Sequence, residues 1–131
     1  METLKLEIVT PDGQIFSNDV KSVTLPGSEG EFGVLPHHAS LVSLLSAGII
    51  DIELPDSKHE IVAIDWGHAE VDETKVTVLA DGAVAIGGHN DSEIANSINE
   101  AKKLIESMSD SDVAIATATA KIDSILKQKS Y

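Results

Sequence analysis

Gly27, Gly30 and Gly33 recur at three-residue steps and are followed by the adjacent histidines His37 and His38, the densest set of chemistry-capable residues in the chain. Phosphate cradles use glycines to deliver backbone amides at the start of a helix, with a lysine or a ribose-binding acid in a βαβ frame. Here both flanks read as strands and Thr24 to Leu41 holds no lysine, so a nucleotide loop is not expected. Two consecutive histidines on a strand point to opposite faces, and no second ligand pair lies at metal-binding spacing; His59, His68 and His89 stand singly. No serine sits in a G-x-S-x-G elbow, and the paired acids Asp72 with Glu73 and Asp110 with Asp112 fall in turn and cap contexts. These residues predict no catalytic centre, no metal site and no cofactor. Three glycines and two prolines in the eighteen residues from Thr24 to Leu41 suit turns that present a surface.

Charge narrows the partner for such a surface. The net charge is −13, from 22 acidic residues against 9 basic ones, and all the basic residues are lysines. That field disfavours nucleic acid and direct docking on anionic lipid, and it favours a basic protein surface. No apolar run approaches the roughly 18 residues that span a bilayer, so contact with a membrane is expected only through a larger complex. The opening "METLKLEIVT" lacks the pattern of a targeting segment, and the chain has no cysteine, which fits a reducing compartment.

The elements that must carry these residues divide near Gly87-Gly88. Before it, short runs rich in Val, Ile and Leu alternate with turn residues: "LKLEIV", "VKSVTL", "EFGVL", "LVSLL", "GIIDIEL", "HEIVAIDW", "HAEVDE", "KVTVLA" and "AVAIG". Period-two alternation puts Leu4, Leu6 and Ile8 on one face, and likewise Val62, Ile64 and Trp66, and Val76 and Val78. "TPDGQ" from Thr10 suits a hairpin connection. About nine or ten such strands predict a β-sandwich or flattened barrel over residues 1–87.

After Gly88 there is no proline or glycine, and the period lengthens. Ile94, Ile98, Ala101, Ile105 and Met108 form one helical stripe beside Leu104, with Asn90 and Glu93 spaced as a capping box, predicting a helix from Asp91 to Ser107. Ile115, Ala118, Ile122 and Ile125 repeat the pattern, predicting a second helix from Ser111 to Lys129. Two short helices with one apolar stripe each require support, so residues 88–131 are expected to form an antiparallel two-helix hairpin leaning on another surface.

"LPGSEGEFGVLPHHASLVSLLSAGII", Leu25 to Ile50, resembles the signature of the epsilon subunit of the bacterial rotary (F-type) ATP synthase, P-G-x-x-G-x-F-G-V-L-P-G-H-A-P-L-x-x-x-L-x-x-G, and "VTVLADGAVA" is similar to that family's second recurring stretch. His37 replaces the usual glycine and Ser40 the usual proline, and His37 is expected to alter the turn geometry there. The resemblance implies a ten-stranded sandwich followed by a helical hairpin, in a non-catalytic central-stalk rotor subunit of the proton-translocating ATP synthase. It implies three partners: the gamma subunit, the ring of c subunits, and the catalytic alpha/beta head reached by the hairpin. It implies a place at the cytoplasmic face of the bacterial inner membrane. Glu29, Glu31 and His38 match positions that face the c-ring. Lys121, Lys127 and Lys129 are the basic residues available on a second helix that inhibits ATP hydrolysis in many members. The alternative is a free-standing β-sandwich binding module with a helical oligomerisation tail, but such modules usually display more aromatic residues than the four here.

Some members bind ATP through I/L-D-x-x-R-A in the first helix. "IANSIN", Ile94 to Asn99, has Ala95 in place of the aspartate and Ile98 in place of the arginine, so both polar partners of the nucleotide are missing. Isothermal titration with millimolar ATP is therefore expected to give no saturable heat; a micromolar saturable signal overturns that reading.

Overall fold

The computed structural model describes residues 2–87, 90–108 and 119–123. Ten strands precede the helical part: β1 (Leu4–Thr10), β2 (Gly13–Val20), β3 (Ser22–Gly27), β4 (Gly30–Val34), β5 (Leu41–Leu45), β6 (Gly48–Glu53), β7 (His59–Ile64), β8 (Gly67–Val71), β9 (Lys75–Ala80) and β10 (Ala83–Ile86). They form one ladder in the order β10-β7-β6-β3-β5-β8-β9-β1-β2, with β4 on the side of β3. A single pair, Gly27 with Leu45, joins β3 to β5, and at this corner the ladder folds over to make two layers. The result is a ten-stranded sandwich, nearly closed into a barrel, because β10 comes to lie beside β2.

The alternation read from β1 is realised: Leu4, Leu6 and Ile8 are buried. β1 runs parallel to β9, and the register sets Leu6 against Val76 and Ile8 against Val78, so these side chains meet inside the sandwich. Val20, Val23, Leu25, Ile50, Ile52, Val62 and Ile64 complete this inner core from the other strands. Each large aliphatic side chain buried in this way favours the fold by about 1.5–3 kcal/mol.

β7 is buried on both faces. Val62 and Ile64 point inward, while Ile61 and Ala63 point outward and pair with Ile86 and Val84 of β10; Ile49 of β6 lies opposite Ala63. This outer apolar face is covered by α1 (Asp91–Met108), through Ala101 and Ile105, with Ile98 at its margin. Asn90 caps the helix, its Oδ1 accepting from the Glu93 amide at 2.9 Å, and Asp91 and Glu93 suit the positive end of the helix dipole. The Gly87 amide donates to Ser97 Oγ at 3.0 Å, tying the end of β10 to the helix. Residues 119–123 are also helical, and Ile122 is buried in the same outer cluster. The rest of the expected second helix, with Lys127 and Lys129, lies outside the described residues.

Three expectations are corrected. β2 was not among the strands read from the sequence, because its outer position leaves it mostly polar: only Val20 is fully buried, and Ile15 and Phe16 pack partly against the core. The Thr10–Gly13 turn does make the hairpin that implies it. Trp66 does not continue the inward face of Val62 and Ile64; β7 ends at Ile64, the chain turns, and the indole is 50% exposed. His37 keeps a positive φ of 68° instead of changing the turn, so the imidazole residue occupies the left-handed conformation that glycine would take more easily.

That turn at β7 is organised by Asp65, which is buried. Its Oδ1 accepts from the Trp66 amide at 2.7 Å and from the Gly82 amide at 2.8 Å, binding the β7–β8 turn to the β9–β10 turn. A Cβ at Gly82 would stand 3.0 Å from Asp65 Oδ2 and 3.2 Å from Leu104, so a larger residue there would push these side chains back by a few tenths of an ångström. Asp65→Ala is expected to cost about 1–2 kcal/mol by removing the acceptor of two part-buried amides. Asp65→Asn, which keeps Oδ1, should cost much less, and urea unfolding of the two variants checks the difference.

Candidate docking surface

The glycines of the opening motif shape a hairpin. β3 and β4 are closed by the pair Gly27 with Gly30 across a two-residue loop, Ser28-Glu29. Gly30 has φ +134°, and a Cβ on Gly27 would fall 2.5 Å from the Gly30 carbonyl oxygen and 2.9 Å from the Phe32 ring. The two glycines thus let the strands cross tightly at the corner of the ladder, where the Ser28 amide donates to the Leu44 carbonyl at 2.9 Å. Both flanks are strands, so no helix start faces this loop. Among the described residues no group of three or more His, Asp or Glu is placed to hold a metal ion.

The hairpin carries Glu29 at its tip and Glu31 on β4, both exposed. Glu29 has no ion-pair partner among the described residues, whereas Glu31 Oε2 is bonded to Lys121 Nζ. β4 then runs away from the tip, and His38 follows it in the segment leading to β5. Glu29 and Glu31 are therefore brought together at one end, and His38 is separated from the tip by the length of β4, about 16 Å at the usual strand rise. His38 is half-buried, with Nδ1 2.7 Å from the Ala39 carbonyl oxygen. Two other histidines find acidic neighbours in space: His37 Nε2 is 3.1 Å from Glu2, and His59 Nδ1 is 2.8 Å from Asp51.

Between the hairpin and β5 runs an open groove of about 510 Å³, lined by Glu29, Glu31 and Phe32 on one side and Val42 and Leu44 on the other. Val42 and Leu44 are 73% and 67% exposed. The register extends this apolar surface across the layer, setting Leu44 beside His68, His68 beside Leu79, and Leu79 beside Val9. Trp66, Leu79 and Pro11 line a second shallow concavity on the same layer. Among the described residues no helix covers this face, in contrast to the β6–β7–β10 layer under α1.

The sequence reading did not single out this stripe. Its signal lies in "LVSLL", where both alternating faces of β5 carry apolar residues, as expected of a strand covered on two sides. An exposed face with several large apolar residues beside an acidic edge suits recognition of a protein rather than catalysis.

The segment that carries His38 is fastened through its neighbour. The His37 amide donates to the Glu73 carbonyl at 2.8 Å, and the β8–β9 turn that presents this carbonyl is shaped by Asp72. Asp72 Oδ1 accepts from the Thr74 and Lys75 amides at 2.8 Å each, and these bonds hold its carboxyl below the usual carboxylate pKa. Because the folded value is the lower one, the contribution is complete above the unfolded pKa and disappears as pH falls through the folded pKa. The stability difference between the parent chain and Asp72→Asn should therefore stay constant above about pH 5 and shrink as the pH falls below about 4. Urea titrations at a series of pH values read it, and a difference that stays constant would show that these bonds do not favour the carboxylate.

Comparison with known proteins converges on one family. The family model "ATP synthase, Delta/Epsilon chain, beta-sandwich domain" matches residues 3–86. The chain is 60% identical over 129 residues to the ATP synthase epsilon chain of Campylobacter curvus, covering 98% of this chain and 100% of that one. It is 61% identical over 127 residues to that of Nitratiruptor sp., covering 97% and 98%. Among solved structures it is similar to a chain of the Euglena gracilis mitochondrial ATP synthase, in a structure of its OSCP/F1/c-ring, with a TM-score of 0.62 and 25% identity over 96% of this chain and 80% of that one. A chain from the central stalk and c-ring of the Tetrahymena thermophila enzyme shares the fold, with a TM-score of 0.57 and 10% identity over 90% and 97%.

Proposed function

The chain belongs to the epsilon-chain family of the ATP synthase, and we propose that it works there as a rotor coupler with no active site of its own. In this reading the outer face of β5, β8 and β9 docks on the gamma subunit. Glu29, Glu31 and His38 face the ring of c subunits, and residues 88–131 restrain hydrolysis by the catalytic alpha/beta head. Lys121, Lys127 and Lys129 are the basic groups that this last role would use.

The observation that carries the reading is the apolar face, covered by no helix among the described residues and bordered by the acidic hairpin. Docking would remove Val42, Leu44, Trp66 and Leu79 from water, and a tryptophan with aliphatic neighbours suits an interface hot spot. The acidic edge suits basic loops of a partner, where complementary charge sets orientation and rate of encounter. No helix among the described residues is long and apolar enough to cross a membrane, in keeping with attachment to the cytoplasmic face of the bacterial membrane through the complex.

Residues 1–87 and 88–131 act in this reading as separate domains. Every residue of the inner core lies between Leu4 and Ala80 or packs on it from within that sandwich, which supports independent folding of the first part. A chain ending at Gly87 is expected to unfold cooperatively, to bind gamma, and to lose the inhibition of ATP hydrolysis that the full chain exerts on a reconstituted catalytic head. Val42→Lys and Leu44→Lys should each weaken gamma binding by about 1–3 kcal/mol while leaving the thermal midpoint of the free chain unchanged, since both side chains are exposed. Unaltered gamma affinity in both variants would move the docking face elsewhere.

A further inference from the structure

Glu31 is bonded within the chain to a residue 90 positions away. Lys121, on the helical segment 119–123, sets its ammonium on the Glu31 carboxylate. The next residue, Ile122, is buried among Ile49, Ile61 and Ala63 of the sandwich and Ala101 and Ile105 of α1. The pair therefore forms only while this segment lies on the β6–β7–β10 face. It also occupies the acidic edge that the proposed function assigns to a cationic partner.

Resting on that reading, we propose that Glu31 and Lys121 form a latch between the helical segment and the docking edge. The Glu31 carboxylate serves either Lys121 or a basic group of the docked partner. Lys121 in place neutralises Glu31 and sets a positive charge where the partner's cation would arrive, so each occupant opposes the other. Glu29, without an ion-pair partner among the described residues, remains available for first contact.

The strength of the contact suits a switch. The Lys121 side chain is 21% exposed and that of Glu31 55%, so the pair is only partly desolvated. Such pairs shift an equilibrium by a few-fold rather than fixing it. The apolar seat of Ile122, Ala101 and Ile105 holds the segment down, and the ion pair biases how often it lifts. A partner presenting lysine or arginine to the edge would remove that bias, and by reciprocity a lifted segment would strengthen docking.

The absence of cysteine makes the test direct. Ala63→Cys introduces a unique thiol beneath α1 and residues 119–123, and its rate of modification by a water-soluble maleimide reports lifting of the helical part. Glu31→Gln and Lys121→Gln, each in the full chain with Ala63→Cys, should raise the rate about three- to fivefold, the range of a partly exposed ion pair. The double variant should match either single one, and the exchange Glu31→Lys with Lys121→Glu should return to within about twofold of the parent. A tetralysine peptide should accelerate labelling of the parent but not of Glu31→Gln. If Ala63→Cys lowers the melting temperature, Ala47→Cys, half-buried at the edge of the same cluster, takes its place. Single-variant rates equal to the parent, an exchange variant as fast as the single ones, or a peptide without effect would overturn the latch. Hydrolysis with the full chain and with the chain ending at Gly87 tests the brake separately. Thiol exposure that rises while truncation leaves hydrolysis unchanged keeps the latch and removes the brake, and the opposite pair of results does the reverse.

Discussion

Burial of β7 on both faces is the constraint on which the architecture turns. A strand that reads Ile61-Val62-Ala63-Ile64 leaves apolar side chains in water if one side of the two-layer sandwich is uncovered. The inward pair, Val62 and Ile64, is covered by the opposite layer. The outward pair, Ile61 and Ala63, joined by Ile49 and Ile86, needs another cover, and α1 and residues 119–123 supply it with Ala101, Ile105 and Ile122. The helical part is thus a consequence of the apolar excess on one outer face. The other layer has a similar excess, in Val42, Leu44 and Leu79, with no cover among the described residues. One apolar face is satisfied within the chain, and the other has no cover among the described residues.

This asymmetry explains what was legible in the sequence. β1, β9 and α1 were readable because each places apolar residues at its natural period with a single buried face. The capping pair Asn90 and Glu93 marked the helix start to the residue. β2 was not readable, since Ser17, Asn18 and Asp19 suit solvent and its pairing follows only from the Thr10–Gly13 hairpin. Trp66 misled because alternation continues in the letters after the strand has stopped. The stop is made by Asp65 binding the Gly82 amide, a contact between residues 17 apart that no local pattern records.

The candidate surface was legible in part. Glu29, Glu31 and His38 were reached through the motif they belong to, and the structure sets two of them at a hairpin tip and the third at the far end of β4. The apolar stripe needed the register of β5, β8 and β9, which decides that Leu44, His68 and Leu79 lie side by side. Glu31 and Lys121 show the same limit more sharply, since their meeting depends on how the helical segment crosses the sandwich. The nucleotide-loop resemblance of the three glycines dissolved for a physical reason: Gly27 and Gly30 are used up in bringing two strands together.

The parallel pairing of β1 with β9 has a consequence for biosynthesis. Leu4, Leu6 and Ile8 leave the ribosome early, but the residues that close over them, Val76 and Val78, are about seventy codons behind. Until those emerge the nascent chain can form the β1–β2 hairpin but cannot enclose its apolar side, because long-range pairing must await the distant strand. The apolar side of β1 can then close only after β9 has emerged, late in translation. Protease resistance of stalled chains of increasing length would rise abruptly after β9 clears the exit tunnel, and a gradual rise would point to assembly strand by strand.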